Sequence, residues 1–383
     1  MNSQIFSRII LYALIAFLLA ACSVSSSTPL PAPEATITPA VTPTNSLPSP
    51  TETPSVTATN TPFSAPPISL SNFQSLASLY QWNIASDIVK ITGAAFSPLA
   101  DKVALLTVRY PEQYSVELRE SQTGNLIWKQ SLDAKTIYPA VAFSADGSLI
   151  AVGTGTASVI IWNVSDGSLS QTLTGASYAI RAVAFSPDGN LIAAAGSDSM
   201  VHVWQVSDGI ERTTYVLQDN VGKLVFSPDS RHLAIASDIF AVYDLTSESN
   251  SRVIYSTGIA PHPTSEILFS PDGHSLITEG ELNDANHNLW IPRILVWNLS
   301  SNRDAVRKVP LTDAIQNMVV LSDGQSVLGY DASKGQLDAI DTPSKSIVGT
   351  VDLGTLLFMD YSADFSRFVV VTNTSVAIWG VSP

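Results

Sequence analysis

Two histidines and three carboxylates lie close together in the sequence, and their side chains are of types that could hold a metal or move a proton. His262 and His287 flank Glu266, Glu281 and Asp284. Imidazole nitrogens and carboxylate oxygens bind divalent metals, and the same groups serve as general acids and bases. Two solvent-exposed loop histidines in an acidic protein would give the same pattern. We favour that second interpretation, so the sequence predicts no metal.

Motifs of the common catalytic sites are not found in the chain. It has no Gly-x-Ser-x-Gly elbow, no His-Glu-x-x-His pair, no phosphate-binding lysine loop, and a single cysteine. Carboxylate pairs for glycoside hydrolysis are defined by distance in space, so the sequence leaves them open. We therefore predict no catalytic residue and no cofactor.

The single cysteine, Cys22, ends an apolar N-terminal stretch. Arg8 precedes the run Ile9–Leu19, which is too short to span a bilayer and is typical of a secretory signal. The tetrapeptide Leu-Ala-Ala-Cys at 19–22 resembles the lipobox of bacterial lipoproteins. That resemblance implies cleavage after residue 21, acylation of Cys22, and attachment to a membrane of the cell envelope facing outside the cytoplasm. An ordinary export signal is the alternative.

Residues 23–67 are mostly Pro, Thr, Ser and Ala, and they hold 11 of the 23 prolines. Proline fixes φ and removes hydrogen-bond donors, and small polar side chains cannot build a core. We predict a disordered linker over 22–67 that begins at the lipidated cysteine. The formal net charge of −14 argues against a nucleic-acid partner, because binding phosphates requires cationic side chains.

Beyond residue 67 an apolar strand and a Ser-Pro-Asp-Gly-like turn recur seven times. The anchor residues before the turns are Phe96, Phe143, Phe185, Phe226, Phe269, Leu321 and Tyr361. Their spacings of 47, 42, 41, 43, 52 and 40 residues indicate a β-propeller, in which each blade has four strands, a to d from the axis outward. We predict an all-β, seven-bladed propeller over 68–383.

Each repeat predicts the place of its side chains. The residues immediately before the anchors should lie near the crowded axis: Ala95, Ala142, Ala184, Val225, Leu268, Val320 and Asp360. Large aromatic residues that end strand c should wedge between blades: Trp162, Trp204, Tyr243, Trp297 and Trp379. Arg119 and Ile340 hold that position in the first and sixth blades. The turn aspartates Asp146, Asp188, Asp229 and Asp272 recur at one position and are interpreted as structural.

The pattern "FSPDG…VxVW" around 182–204, and again around 265–297, resembles the WD-repeat family. Gly175-Ala176 stands where the family has Gly-His, Trp204-Gln205 stands for its Trp-Asp, and Asp198 matches its structural aspartate. The resemblance implies a scaffold that binds proteins or peptides, usually without catalysis. It also implies that the b–c and d–a loops share one face, the usual partner surface, here called the b–c/d–a face.

Insertions point to the same face. The b–c connections at 109–114 and 282–293 are longer than the others, and function concentrates on loops carried by a rigid scaffold. The candidate partner-binding residues have the residue types of binding hot spots: Trp290, His287, Tyr110, Tyr114, Tyr138, Tyr178 and Arg181. For Trp290 the alternative is that it only packs its own loop onto the blade.

Three functions remain open at this point. The leading one is a noncatalytic, membrane-anchored propeller that binds a protein or another macromolecule. The alternatives are a secreted propeller hydrolase or lyase acting on a polysaccharide, with carboxylates around the axial opening, and a structural subunit of an envelope assembly. Clustered carboxylates or a metal at the opening would favour the enzyme, and an aromatic face would favour binding.

The chain ends just after strand c of the seventh repeat, so that blade needs an outer strand from elsewhere. The unassigned apolar segment 76–84 precedes the first repeat, and Trp82 lies 14 residues before Phe96, much as Trp128 lies 15 before Phe143. We predict that 76–84 is strand d of the last blade and pairs with 375–381. An open ring would expose an unpaired edge strand.

Overall fold

The structure is a computed structural model, and its described residues belong to one compact unit within Asn60–Pro383. They are residues 65–132, 138, 140–217, 221–237, 240–246, 252–254, 259–260, 266–284, 289–299, 305–311 and 315–381. The predicted signal peptide (1–21), Cys22 and the linker up to residue 64 lie outside them. Within the described ranges, no helix is long and apolar enough to cross a membrane.

A short 3₁₀ turn, Phe73–Ser75, precedes first a strand that belongs to the last blade and then the strands of the first three blades. In chain order these are β1 (Leu76–Asn83), β2 (Ile88–Phe96), β3 (Lys102–Arg109), β4 (Gln113–Glu120), β5 (Leu126–Leu132), β6 (Val141–Phe143), β7 (Leu149–Gly153), β8 (Val159–Asn163), β9 (Leu169–Leu173), β10 (Ile180–Phe185), β11 (Leu191–Gly196), β12 (Met200–Gln205) and β13 (Glu211–Val216). The blades are β2–β5, β6–β9 and β10–β13, and each is an antiparallel sheet in sequence order.

The fourth to seventh blades follow the same plan. Their strands are β14 (Lys223–Phe226), β15 (His232–Ala236), β16 (Phe240–Asp244), β17 (Arg252–Ile254), β18 (Ile259–Ala260), β19 (Ile267–Phe269), β20 (Ser275–Asp284), β21 (Leu289–Asn298), β22 (Ala305–Pro310), β23 (Ile315–Val320), β24 (Ser326–Asp331), β25 (Gln336–Asp341), β26 (Ser346–Asp352), β27 (Phe358–Tyr361), β28 (Arg367–Val371) and β29 (Ser375–Val381). In the fifth blade, β18 and β19 both pair with β20.

The seven-bladed propeller and its closure are confirmed. Strand β1 pairs antiparallel with β29, from Leu76 opposite Val381 to Asn83 opposite Ser375, and completes the sheet β27–β28–β29–β1. The chain enters beside the a–b turn of this blade, where the Ile68 backbone N–H donates to the Phe365 carbonyl oxygen at 2.9 Å. Ile68 and Phe73 are buried against the sixth and seventh blades.

The aromatic residues that end strand c are wedges between blades, as predicted. Trp204 is buried against the second blade, in one core cluster with Ile161 and Leu173. Trp297 packs in the same way against Phe240 of the fourth blade. Burial of such large side chains removes apolar surface from water and fixes the spacing of neighbouring sheets.

The turn aspartates are structural. Asp146 accepts hydrogen bonds from the Ser144 hydroxyl at 2.6 Å and from the Ser148 backbone N–H at 3.0 Å. These bonds favour the charged carboxylate and hold the pKa of Asp146 below its ordinary value. The same pattern recurs in the fifth blade, where Ser270 lowers the pKa of Asp272.

A second contact between blades was not predicted. Trp82 of β1 donates from Nε1 to the Ser121 carbonyl oxygen at 3.1 Å and lies against Gly124, in the c–d turn of the first blade. Trp128 of β5 donates in the same way to the Val164 carbonyl oxygen at 2.9 Å and lies against Gly167 of the second blade. In both places a tryptophan of an outer strand therefore binds the c–d turn of the next blade, and the glycine in that turn leaves room for the indole ring.

Candidate functional site

A channel runs along the propeller axis, and two adjoining cavities occupy it. The first, of about 500 Å³, extends from Arg181 near the start of strand a to Pro98 in an a–b turn. The second, of about 570 Å³, lies towards the a–b turns beside Pro187, Pro228 and Pro271. Both are within the volume range of ligand pockets. Six of the seven residues before the anchors, all except Ala184, line these cavities, which confirms the predicted axis at those positions.

Charged side chains meet at the channel wall. Lys223 forms an ion pair with Glu266, whose other carboxylate oxygen accepts the Asn317 backbone N–H at 3.0 Å. Asn317 has a positive φ of 50° and lies at a register shift in β23. At this β-bulge its N–H donates to Glu266. Sequence analysis missed this group, because a contact between the fourth, fifth and sixth blades has no periodic signal.

Asp360 lies deeper in the channel, one residue before the anchor Tyr361. Its carboxylate accepts backbone N–H groups of Phe96 at 2.8 Å and of Tyr361 at 2.9 Å. The residue is partly buried, and the channel reaches the rest of its surface. This burial raises the pKa of Asp360. Burial and the nearby carboxylates of Asp360 and Glu266 raise the pKa of the Tyr361 hydroxyl well above its ordinary value.

Arg181 is held at the b–c/d–a end of the channel. Its Nε donates to the Ser197 hydroxyl at 2.7 Å, and its Nη2 donates to the Tyr138 hydroxyl at 3.0 Å. The guanidinium carbon lies 4.4 Å from the centre of the Tyr138 ring, a cation–π distance. The structure thus brings two of the predicted partner-binding residues into contact.

The other predicted residues have different surroundings. Tyr110, in the b–c turn of the first blade, is 87% exposed, and Tyr178, in the second d–a connection, is 62% exposed. Tyr114 is part of β4 and packs half-buried against the core of the first blade. His287 and the side chain of Trp290 lie outside the described residues.

The two long b–c connections are extended hairpins rather than long loops. Strand β20 continues to Asp284 and β21 begins at Leu289, so the backbone of Trp290 lies in a strand opposite Asn283. Strands β3 and β4 likewise pair out to Arg109 and Gln113. The prediction of loops at 282–293 and 109–114 was wrong in this respect, because inserted residues extend existing ladders and satisfy their backbone hydrogen bonds there.

The predicted cluster around His262 and His287 lies mostly outside the described residues, as do the side chains of Glu281 and Asp284. Its described member, Glu266, pairs with Lys223 at the axis. In the ranges the structure describes, no group of three His, Cys, Asp or Glu side chains is arranged to hold a metal.

Strand c of three blades carries a buried ionisable residue three positions before its last residue, and sequence analysis missed all three. In the first blade, Arg109 and Arg119 both form ion pairs with the fully buried Glu117. In the third, His202 Nδ1 lies 2.6 Å from Glu211 Oε1. In the sixth, Asp338 is buried and its Oδ1 has no hydrogen-bond partner.

Arg109, Arg119 and Glu117 lie in the first blade, which adjoins β1 of the last blade where the ring closes. Burial opposes ionisation of Glu117, but the hydrogen bonds from Arg109 and Arg119 outweigh it and lower its pKa. The Arg119 guanidinium also lies over the ring of Trp82, 5.7 Å from its centre. This cluster joins the first blade to β1, which explains why arginine replaces the usual aromatic residue there.

Comparison with known protein families matches one stretch of the chain. The family model described as WD domain, G-beta repeat covers residues 167–205, from the c–d turn of the second blade to the end of strand c of the third. A search of curated proteins found no match to the chain. The predicted resemblance is confirmed for this repeat, and the fold around it is the seven-bladed propeller that such repeats build.

Proposed function

We propose that this WD40-repeat propeller is a noncatalytic scaffold that binds a protein or peptide through its b–c/d–a face. Propellers of this repeat type generally bind proteins and are usually noncatalytic. The observation that carries the proposal is the set of aromatic side chains on this face. Tyr110 and Tyr178 are largely exposed, and Tyr138 holds Arg181 beside the channel. Tyr and Arg are enriched among residues that dominate binding energy.

The axial carboxylates favour binding over hydrolysis. A glycosidase needs one carboxyl group to deliver a proton and another that is free to attack or to activate water. Here Glu266 is engaged by Lys223 and by the Asn317 N–H, while Asp360 is engaged by two backbone N–H groups. We therefore retain the binding function rather than the polysaccharide hydrolase or lyase.

The experiment compares exposed residues on opposite faces. A partner captured from a cell-envelope extract with the full chain is purified, and its affinity is measured by biolayer interferometry. Tyr178→Ala should weaken binding about tenfold or more, as expected for an interface aromatic. Leu169→Ala is the matched control, because Leu169 is equally exposed (61%) but lies beside the c–d turn. Greater loss with Leu169→Ala would place the partner on the other face.

Trp290 gives a second test of the same face. If it is a binding anchor, Trp290→Ala weakens the partner complex by about 2 kcal/mol and leaves the melting temperature unchanged. If it only packs its own hairpin onto the blade, the melting temperature falls instead.

We also propose that Cys22 carries lipid and that the propeller is tethered to a membrane of the cell envelope. The entry point of the chain supports this arrangement, because Ile68 binds at the a–b turn of the last blade, at the end of the propeller opposite the b–c/d–a face. Two or more acyl chains give stable attachment. Cys22→Ser should release the protein from the membrane fraction. Equal membrane binding by this variant would refute the lipid anchor.

A further inference from the structure

The first axial cavity has an uneven distribution of charge along its length. Arg181 lies four residues before its anchor, Lys223 three residues before its own, and Asp360 one residue before Tyr361. Strands rise about 3.4 Å per residue, so the two cations lie within roughly one residue's height of each other. Asp360 lies about 7 Å deeper than Lys223 by the same measure. A molecule that enters from the b–c/d–a face meets both cations first.

The Arg181 guanidinium is arranged to bind a planar anion. Ser197 and Tyr138 hold its Nε and Nη2, and the Tyr138 ring supports its face. Within the described residues, its Nη1 has no hydrogen-bond partner and no carboxylate forms an ion pair with Arg181. A positioned guanidinium of this kind suits carboxylate, to which arginine makes charge-assisted bonds of matching geometry.

Of these two cations, Arg181 is the one that no carboxylate of the described residues pairs with. Glu266 forms an ion pair with Lys223 and also accepts the Asn317 N–H, so its negative charge is shared between two donors. Asp360 is the acidic residue on the wall of both cavities, and its carboxylate accepts the backbone N–H groups of Phe96 and Tyr361, which partly offset its charge.

The rest of the wall is mostly apolar, and Asp360 and Tyr361 are polar residues within it. Val183, Phe143, Phe358 and Met359 line the first cavity, and Val225, Leu268 and Met318 line the second. A pocket that combines an apolar body with a few converging polar groups is the usual form of a small-ligand site.

We propose that the axial channel binds an apolar carboxylic acid, with the carboxylate at Arg181 and Lys223 and the hydrocarbon directed towards Met359. The carboxylate can belong to a free organic acid or to the C-terminus of a peptide, since the recognising chemistry is the same. This site is independent of the proposed scaffold function. Loss of partner binding in the Tyr178 variant would leave the channel prediction unaffected.

Methionine methyl groups report directly on the channel. The chain has four methionines, of which Met359 lines the first cavity, Met318 lines the second, and Met200 lies in β12, outside both cavity walls. The full chain, labelled with ¹³C at the methionine methyl groups, is titrated with hexanoate, hexylammonium and 1-hexanol. These probes share one hydrocarbon and differ in charge.

Hexanoate should shift the Met359 signal in a saturable way and leave Met200 in place. Arg181→Gln should raise the dissociation constant for hexanoate about tenfold, the usual loss for a charge-assisted bond. Arg212→Gln is the control, because Arg212 pairs with Asp208 at an exposed c–d turn. Acetyl-leucyl-leucine and its C-terminal amide distinguish a peptide C-terminus from a free organic acid as the source of the carboxylate. If only the acid form binds, a peptide C-terminus is a ligand. If neither form binds, the site is restricted to small organic acids.

Two results would overturn the proposal. One is an equal or larger Met359 shift with hexylammonium or hexanol, which would show that the cations do not select the ligand. The other is an unchanged hexanoate response at Met359 in Arg181→Gln, or no response to hexanoate in the unaltered protein.

Discussion

A methyl group added at Gly124 tests how the ring is held shut. Gly124 has a φ of +73°, and an added Cβ would lie 2.4 Å from Cδ2 of Trp82. Trp82 belongs to β1, the strand that completes the last blade, whereas Gly124 belongs to the c–d turn of the first blade. The substitution Gly124→Ala therefore forces the two sides of the closing junction apart.

The expected loss has two parts. An alanine at positive φ costs about 1–2 kcal/mol because its Cβ crowds the backbone. Displacing a packed indole costs a further 1–3 kcal/mol or so, the range for overpacking. We expect Gly124→Ala to lower the free energy of unfolding by roughly 2–5 kcal/mol.

Gly189→Ala is the matched control. Gly189 has the same φ of +73°, and nothing lies within 4 Å of its added Cβ, so this variant shows the backbone cost alone. Urea denaturation followed by tryptophan fluorescence gives both values, provided that the slope with denaturant is unchanged. If Gly124→Ala and Gly189→Ala lower the free energy of unfolding equally, the contact of Trp82 with this turn does not stabilise the closed ring, and the reasoning is refuted. Trp82→Ala combined with Gly124→Ala should also lose less than the sum of the single variants.

Three further predictions concern the ring and its buried charges. Deleting 23–67 should leave the melting temperature of the propeller unchanged. Deleting 1–87 removes β1 and should lower the melting temperature steeply or prevent soluble expression. Equal melting temperatures of the two proteins would contradict closure by β1. Glu117→Gln should cost about 3–5 kcal/mol in urea denaturation, because it leaves Arg109 and Arg119 without their shared counter-charge. Since the folded state lowers the pKa of Glu117, this loss should be complete above its ordinary value of 4.5 and shrink as the pH falls below it. Asp338→Asn should stabilise the protein by about 1 kcal/mol at neutral pH, because burial and the nearby Asp331 raise the pKa of this carboxyl group, whose Oδ1 has no hydrogen-bond partner. The gain should vanish below pH 3.8, where the aspartate is protonated in both the folded and the unfolded state. A gain that does not depend on pH would contradict this account.

The repeats could be predicted because each blade has a similar turn and a large side chain at equivalent sequence positions. The Ser-Pro-Asp-Gly turn fixes where strand a ends, and the aromatic residue at the end of strand c fixes which side faces the preceding blade. The role of 76–84 followed from counting strands, since a propeller with a missing outer strand would leave an open edge. The structure confirms that this segment pairs with 375–381, and it shows the register, with Asn83 opposite Ser375.

Contacts between different blades could not be predicted in this way. Lys223 and Glu266 meet only because the ring brings strands a of the fourth and fifth blades together. Trp82 and Gly124 meet only after closure. One signal was available: Glu117 occupies a position on a central strand where most blades have apolar or small residues, and a charge there must be paired to be tolerated.

The pairing of β1 with β29 also determines how the propeller responds to force. Leu76, at the start of β1, lies opposite Val381, at the end of β29, so both ends of the folded chain leave from the same end of this pair. Tension applied between the two ends first loads the contacts of Ile68 and Phe73, which precede β1, and then the β1–β29 hydrogen bonds one pair at a time from Leu76 and Val381. We therefore expect the last blade to lose β1 at low force, while the six blades built from consecutive strands stay folded. A head tethered at its N-terminus and pulled through a bound partner would lose β1 first and open the ring at that junction.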